Sequence, residues 1–341
     1  MYVLQLLVRL MCDSWLTGQS SPRLSIAAGI CATLLCAKVY AAEPPYPVKP
    51  IRFIVPFPAG GNADAIARPL ADKLTERWGQ QVVIDNRGGA GGVIGETLAA
   101  QAVPDGHTLL YVSMSHAVNR ALYKKLPYDP AKDFEPVTLA VFVPNMLVVH
   151  QGVAARSVPE LIALAKLRPG QLNYGSSGNG TSQHLAGELF KRRAGVDLVR
   201  VAYKGSALAG VDLLAGRLEV MFDVITSCVR YVATGRVRAL GITSAKRSDL
   251  FPSVPTIAEF VPGYELTGWQ GILVPARTPP VIVKKLNEAL RDILRSKETE
   301  DKFRNIGAEP VASTPQEFKT LINTEIVKWG QVLKQSGIEA E

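Results

Sequence analysis

The chain alternates short apolar runs with longer segments in which apolar residues recur every four positions. Ile51-Arg52-Phe53-Ile54-Val55 reads as a strand and "PFPAGGNAD" as a glycine turn. Ile66, Leu70, Leu74 and Trp78 then mark one face of a helix over 63–78. The alternation continues, with strands expected at 51–57, 81–85, 108–113, 145–149, 171–175, 199–203, 219–223, 238–243 and 271–274. Such an order argues for α/β layers. Ser157-Val158-Pro159-Glu160 and Thr314-Pro315-Gln316-Glu317 are capping boxes opening two further helices, and Thr278 and Thr181 are expected to cap two more. Pro69 has no amide hydrogen to give, so a kink or a late start is expected in the first helix.

Residues 171–194, "QLNYGSSGNGTSQHLAGELFKRRA", repeat the opening pattern of strand, glycine-rich loop and helix, with Leu185 and Leu189 on one helix face. Two such units in two halves of the chain predict two similar lobes facing each other. No repeat of fixed period is present, which excludes a solenoid.

The glycine loops fail as nucleotide sites. After Gly61 come Asn62, Ala63 and Asp64, so no lysine is placed for a phosphate and Asp64 repels one. In "RGGAGGVIG" the dinucleotide spacing counted from Gly89 needs glycine at 94, where Ile94 stands; a turn packed against a helix start is the expectation there. What remains is an anion site. A helix's first turn carries unpaired N–H donors and about half a positive charge. Gly60 and Gly61 let a ligand approach that backbone, and the 175–181 loop offers the same beside Ser176, Ser177 and Thr181. A planar, singly charged carboxylate suits such groups better than a triphosphate.

Composition refines the setting. The 341 residues are 47% apolar and carry a formal charge of +8, with basic residues scattered singly or in pairs. No run interleaves them with aromatics, so nucleic acid is not an expected partner. Arg23 precedes fourteen uncharged residues, Leu24 to Ala37, with short residues at Val39 and Ala41. This pattern predicts a signal peptide over 1–41, cleaved between Ala41 and Ala42, and Met11 offers a second start. Cleavage removes Cys12, Cys31 and Cys36 and leaves Cys228, a structural thiol with no partner for a disulfide.

Catalytic signatures are missing. "GSSGNG" has Asn179 where a nucleophile elbow needs glycine, and His107, His116, His150 and His184 lack metal spacing. His184 lies near the second loop and could donate to a carboxylate or cap the loop. Asp223 closes the strand "EVMFD", where α/β ligands bind, and is either a ligand contact or a structural hydrogen-bond acceptor, the position favouring contact. No catalytic residue, metal or cofactor is expected.

"YPVKPIRFIVPFPAGGNADAIAR", "GQQVVIDNRGGAGGVIG", "LPYDPAKDFEPVT", "NYGSSGNGTSQHLAGELF", "VAYKGSALAGVDLLAG", "GRVRALGITSAKRS" and "VPTIAE" closely resemble the tripartite tricarboxylate transporter substrate receptors, the TctC or Bug family, from about Tyr46 to Ile338. The resemblance implies a two-lobed, type II-like periplasmic-binding-protein fold with a ligand cleft between the lobes. It implies a lobe of 42–144 plus 268–341, another of 145–267, and crossings near 143–147 and 265–270. It further implies a monomeric, non-enzymatic periplasmic receptor for a small carboxylate, served by large and small integral-membrane transporter subunits. By motif, the ligand-binding positions are Pro58, Ala59, Gly60, Gly61, Asn62, Asp64, Ser113, Ser176, Gly178, Asn179, Thr181, His184, Ser206 and Asp223. Ser113 to His116 is a rim element, and Asn62 and Ser206 are candidates for selectivity. Arg120 stands where the family commonly has proline.

Overall fold

The computed structural model describes residues 45–335, so the signal-peptide positions and their cleavage site lie outside the described residues. From Pro47 on, the chain forms one compact unit.

Its frame is a strand longer than the sequence pattern suggested. The expected 145–149 segment is only the end of β4, Phe134–His150, seventeen residues long. Pro136, Glu135 and Pro144 break the apolar alternation that marks a strand, and the pairing shifts register twice, between Pro136 and Thr138 and between Leu139 and Val141. Residues 134–144 of β4 pair with β9, Thr267–Pro275, antiparallel. Residues 145–150 pair instead with β7, Val220–Val224, and β8, Val237–Ile242.

One strand therefore belongs to two sheets. The first runs β2 (Val82–Asn86), β1 (Ile51–Val55), β3 (Thr108–Ser113), β9, β4, with the short β10 (Glu309–Pro310) beyond. The second runs β6 (Val199–Ala202), β5 (Asn173–Ser176), β7, β4, with β8 on the far side. All nine expected strands are present, and the two-residue β10 is the one that carried no pattern.

Ten α-helices cover the sheets among the described residues. Helix α1, Asn62–Trp78, runs unbroken through Pro69 and buries Ile66, Leu70 and Leu74. Packing of that apolar face outweighs the one lost backbone bond. One capping box is complete, Thr314 Oγ1 accepting from Glu317 N at 3.2 Å and Glu317 Oε2 from Thr314 N at 2.8 Å, whereas Ser157 Oγ caps Glu160 N at 3.3 Å but the Glu160 carboxylate accepts from Arg156 N at 2.8 Å in place of Ser157 N. Thr278 is not a cap. Its hydroxyl donates to Pro275 O at 2.7 Å, and the helix Pro280–Arg295 starts after Pro279.

At the centre of the first sheet, Trp269 meets Phe318 edge-on with ring centroids 5.6 Å apart. In the second, Phe190 and Phe222 pack at 5.4 Å. Cys228 is buried as expected, its thiol pushed up by burial and by Asp223.

Gly271 of β9 leaves no room for a side chain: a Cβ there would overlap the Phe318 ring and sit 2.8 Å from the Thr138 carbonyl oxygen. Backbone in a paired strand cannot yield cheaply. Gly271→Ala is expected to lower stability by about 1–3 kcal/mol, read as an earlier urea midpoint.

Candidate functional site

Strands β1, β3, β5 and β7 each end at the junction between the sheets and hand the chain to a helix. The ends of such strands are where α/β folds bind ligands. Those helices are α1 (Asn62–Trp78), α3 (Ser115–Leu122), α5 (Ser182–Ala194) and α7 (Ile225–Val232). β6 adds α6, Ser206–Leu214, and none of the five has a side-chain cap. The first-turn amides thus keep their donor capacity.

The first loop is held from behind. Asp64 Oδ2 accepts from Gly60 N at 2.8 Å and from Arg68 Nη2 at 3.0 Å, while Oδ1 accepts from Asn86 Nδ2 at 3.0 Å. Asp64 is 6% exposed and its oxygens are occupied, so the expectation that it contacts the ligand is corrected to a role in fixing the turn. Gly60 sits at φ +82°, the left-handed region, whereas Gly61 is extended at φ −88°.

The second loop is held by a buried relay. Gln183 Oε1 accepts from Ser177 N at 2.6 Å, and Gln183 Nε2 donates to Asp223 Oδ1, which also accepts from Val224 N at 2.8 Å. Asp223 is fully buried, and burial pushes its carboxyl up to about 8. It supports the loop through Gln183 and is not on the wall, which corrects the expected ligand contact. His184 Nδ1 accepts from Gly180 N at 3.2 Å. Burial, then the charges of Arg200 and Lys191, push that imidazole down to about 3, so it is neutral and its capping role is the one realised. Thr181 does not cap α5; its hydroxyl donates to Gly178 O at 2.9 Å.

Between the loops lies an inner chamber of about 20 Å³, whose polar wall includes Asn62, Ser113, Ser177, Thr181, Ser182 and Gln270. Phe57, Met114, Val143, Val224 and Trp269 supply its apolar wall, and among the described residues no charged side chain lines it. Phe57 and Ser177 also line an outer chamber of about 190 Å³, with Gly178, Asn179, Lys204 and the Gly89–Gly92 turn around it.

Of the expected residues, Asn62, Ser113, Gly178, Asn179 and Thr181 reach these walls. Ser206 Oγ donates to Asn62 Oδ1 at 3.2 Å, joining the two halves, and lies 3.4 Å from Ser227 Oγ. Pro58 packs between the halves, where a Cβ on Gly88 would come within 2.7 Å of it and one on Gly205 within 3.0 Å. Ala59, Gly60, Gly61 and Ser176 lie off both walls; the Ser176 hydroxyl is buried without a partner among the described residues.

His116 is not a rim residue. It is wholly buried, with Nδ1 2.6 Å from Glu96 Oε2 and Nε2 3.1 Å from Pro130 O. Arg120 stays within α3 and pairs with Asp129 at 3.1 Å. The Gly89–Gly92 turn, Gln270 and Trp269 were missed. A Cβ on Gly91 would overlap the Asn179 carbonyl oxygen, so this turn meets the second loop backbone to backbone.

The model of the tripartite tricarboxylate transporter family receptor matches residues 66–338. The chain belongs to this family. Its fold is that of the periplasmic binding proteins, as three solved relatives show. Rpa4515 of R. palustris, solved with adipate, is 39% identical with a TM-score of 0.85, covering 87% of this chain and 100% of its own. The periplasmic binding protein BugD is 32% identical at 0.84, covering 87% and 100%. MatC of Rhodopseudomonas palustris, with bound malate, is 32% identical at 0.81, covering 84% and 100%. The family consists of substrate-binding receptors, and among the described residues no helix is long and apolar enough to cross a membrane.

The relay makes stability depend on pH. Folded Asp223 keeps its proton to about pH 8, whereas unfolded it loses it near its ordinary 3.8. The unfolded state binds fewer protons across that window, so this group's contribution falls as pH rises through it. His184 acts oppositely: its contribution is present above its ordinary 6.5 and is lost as pH falls towards about 3. Asp223→Asn keeps an acceptor for Gln183 and cannot ionise. Its urea midpoint is expected to change less between pH 7 and pH 9 than the parent's, measured side by side.

Proposed function

We propose that the chain is an exported periplasmic receptor that closes over a small carboxylate: a di- or tricarboxylate, an amino acid or an aromatic acid. In this reading residues 1–41 are the removed signal peptide. The receptor is a monomer that delivers its ligand to the large and small integral-membrane subunits of a tripartite tricarboxylate-type transporter. The lobes are 42–144 plus 268–341 and 145–267, a division supported by the change of β4 partners between Pro144 and Asn145.

The observation that carries the reading is the inner chamber. Its walls include the bare starts of α1 and α5, one from each sheet, and, among the described residues, no charged side chain. Oriented N–H groups can hold a carboxylate there without a salt bridge. The adipate and malate bound by two relatives support the same ligand class. The rival reading, a carboxylate-processing enzyme on this scaffold, needs a nucleophile with a base. The histidine beside the loop already accepts from Gly180 N through Nδ1.

A ligand that binds only the folded state, present at about 100 times its Kd, stabilises by roughly 2.7 kcal/mol. A carboxylate panel is therefore expected to contain acids that raise the melting temperature while their matched amides do not. Equal shifts with the amides would refute the anion site.

Gly61 separates binding from folding. Its extended backbone admits any residue, but a Cβ would stand 3.1 Å from Ser206 Oγ, across the cleft. Gly61→Asp is expected to stay folded, with a melting temperature within a few degrees of the parent, and to lose at least about tenfold in affinity. A folded variant that binds normally would show the loop to be a turn only.

A further inference from the structure

We propose that Lys204 binds a second acidic group on the ligand, so that the receptor prefers an elongated, linear dicarboxylate to a monocarboxylate of the same length. The inference rests on the carboxylate reading above and narrows it.

Size comes first. A water molecule needs about 10–15 Å³ of such volume, so the inner chamber's 20 Å³ takes little more than a carboxyl group. Phe57 and Ser177 line both chambers, so the adjoining space for the rest of a ligand is the outer 190 Å³. A chain of several methylenes fits this division, with one end among the helix starts and the other near the mouth.

The mouth holds a single charge. Among the described residues, Lys204 is the one charged residue on either chamber wall. It makes no ion pair or hydrogen bond among the described residues. The first acid after it in sequence is taken, because Asp212 Oδ2 accepts from Tyr203 Oη at 2.8 Å and Oδ1 from Arg217 Nη1 at 3.1 Å. Lys204 is exposed, so its ammonium waits in solvent for a partner.

The opposite wall is bare backbone. Ala90, Gly91 and Gly92 all have positive φ, and for Ala90 at +47° that conformation is strained. Strain of this kind persists where the surroundings impose it, often at ligand clamps. Gly91 lies against Asn179, so this turn closes the chamber without adding a charge or a bulky side chain. Discrimination at this end is left to Lys204.

Calorimetric titration of the mature protein with glutarate, adipate and pimelate, each against pentanoate, hexanoate and heptanoate, tests the inference. The parent is expected to bind at least one diacid more tightly than its matched monoacid. In Lys204→Met that diacid-to-monoacid affinity ratio should fall roughly three- to tenfold, between the worth of an exposed pair and of a charge-assisted hydrogen bond. Lys204→Arg should keep most of it. A parent with no diacid preference overturns the proposal, as does a Lys204→Met variant that retains the ratio or loses both acids equally. A parent that binds none of the six acids also overturns it, while the carboxylate reading itself stands or falls on the wider acid-and-amide panel.

Discussion

Sharing one strand between two sheets is the constraint from which the site follows. Because β4 changes partners between Pro144 and Asn145, the sheets meet at that point and nowhere else along it. Asn145 is fastened there by the second half of the chain: its N–H donates to Thr243 Oγ1 at 2.8 Å and its side chain to Phe222 O at 2.7 Å. The carboxyl ends of β1 and β3 from one side, and of β5 and β7 from the other, then face a common space. A cleft lined by helix starts is a consequence of the topology before any ligand is considered.

Capping shows what the topology is used for. Away from the cleft, Ser157, Ser296 and Thr314 accept from the first turns of their helices. Around it, Gly61, Thr181, Gly205 and Val224 precede helices that no side chain caps. A cap contributes about 1 kcal/mol, so a chain selected for stability alone would carry them in both places. The helix after Pro279 is also uncapped, but prolines at 279 and 280 remove donors that would need one. Thr181 is the telling case. It has a hydroxyl in the right place and turns it to the Gly178 carbonyl, stiffening the loop and leaving the helix start open.

The sequence pattern located every strand but β10, because apolar runs reflect burial and burial is what sheets impose. It underestimated β4, since a strand that crosses between two sheets exposes no constant face and tolerates Pro144 at the crossing. The glycine loops were legible as the turns that open helices at the cleft, but the bare start of the second helix was not, because Thr181 was expected to cap it. Nor were the roles of Asp64, His184 and Asp223. A carboxylate or imidazole near a ligand loop looks the same in sequence whether it faces the ligand or holds the loop from behind. Only the partners decide: Gly60 N for Asp64, Gly180 N for His184, Gln183 for Asp223. Gln183 and Gln270 gave no signal at all, being amides in otherwise ordinary helix and strand contexts.

The same distinction explains why so many glycines gather here without being interchangeable. Gly60 satisfies a backbone angle, and nothing lies within 4 Å of where its Cβ would be. Gly61 has an ordinary angle and a crowded Cβ position, against Ser206 of the opposite half. Gly91 combines both constraints, a positive φ and contact with Asn179. One glycine shapes a loop, one leaves room for the facing half, and one does both. When backbone from each half supplies so much of the contact, affinity for a carboxylate can be shared by many relatives. In the proposed reading, choice among carboxylates falls to side chains on or joining the walls, among them Asn62 with its partner Ser206 and Lys204 in the outer chamber.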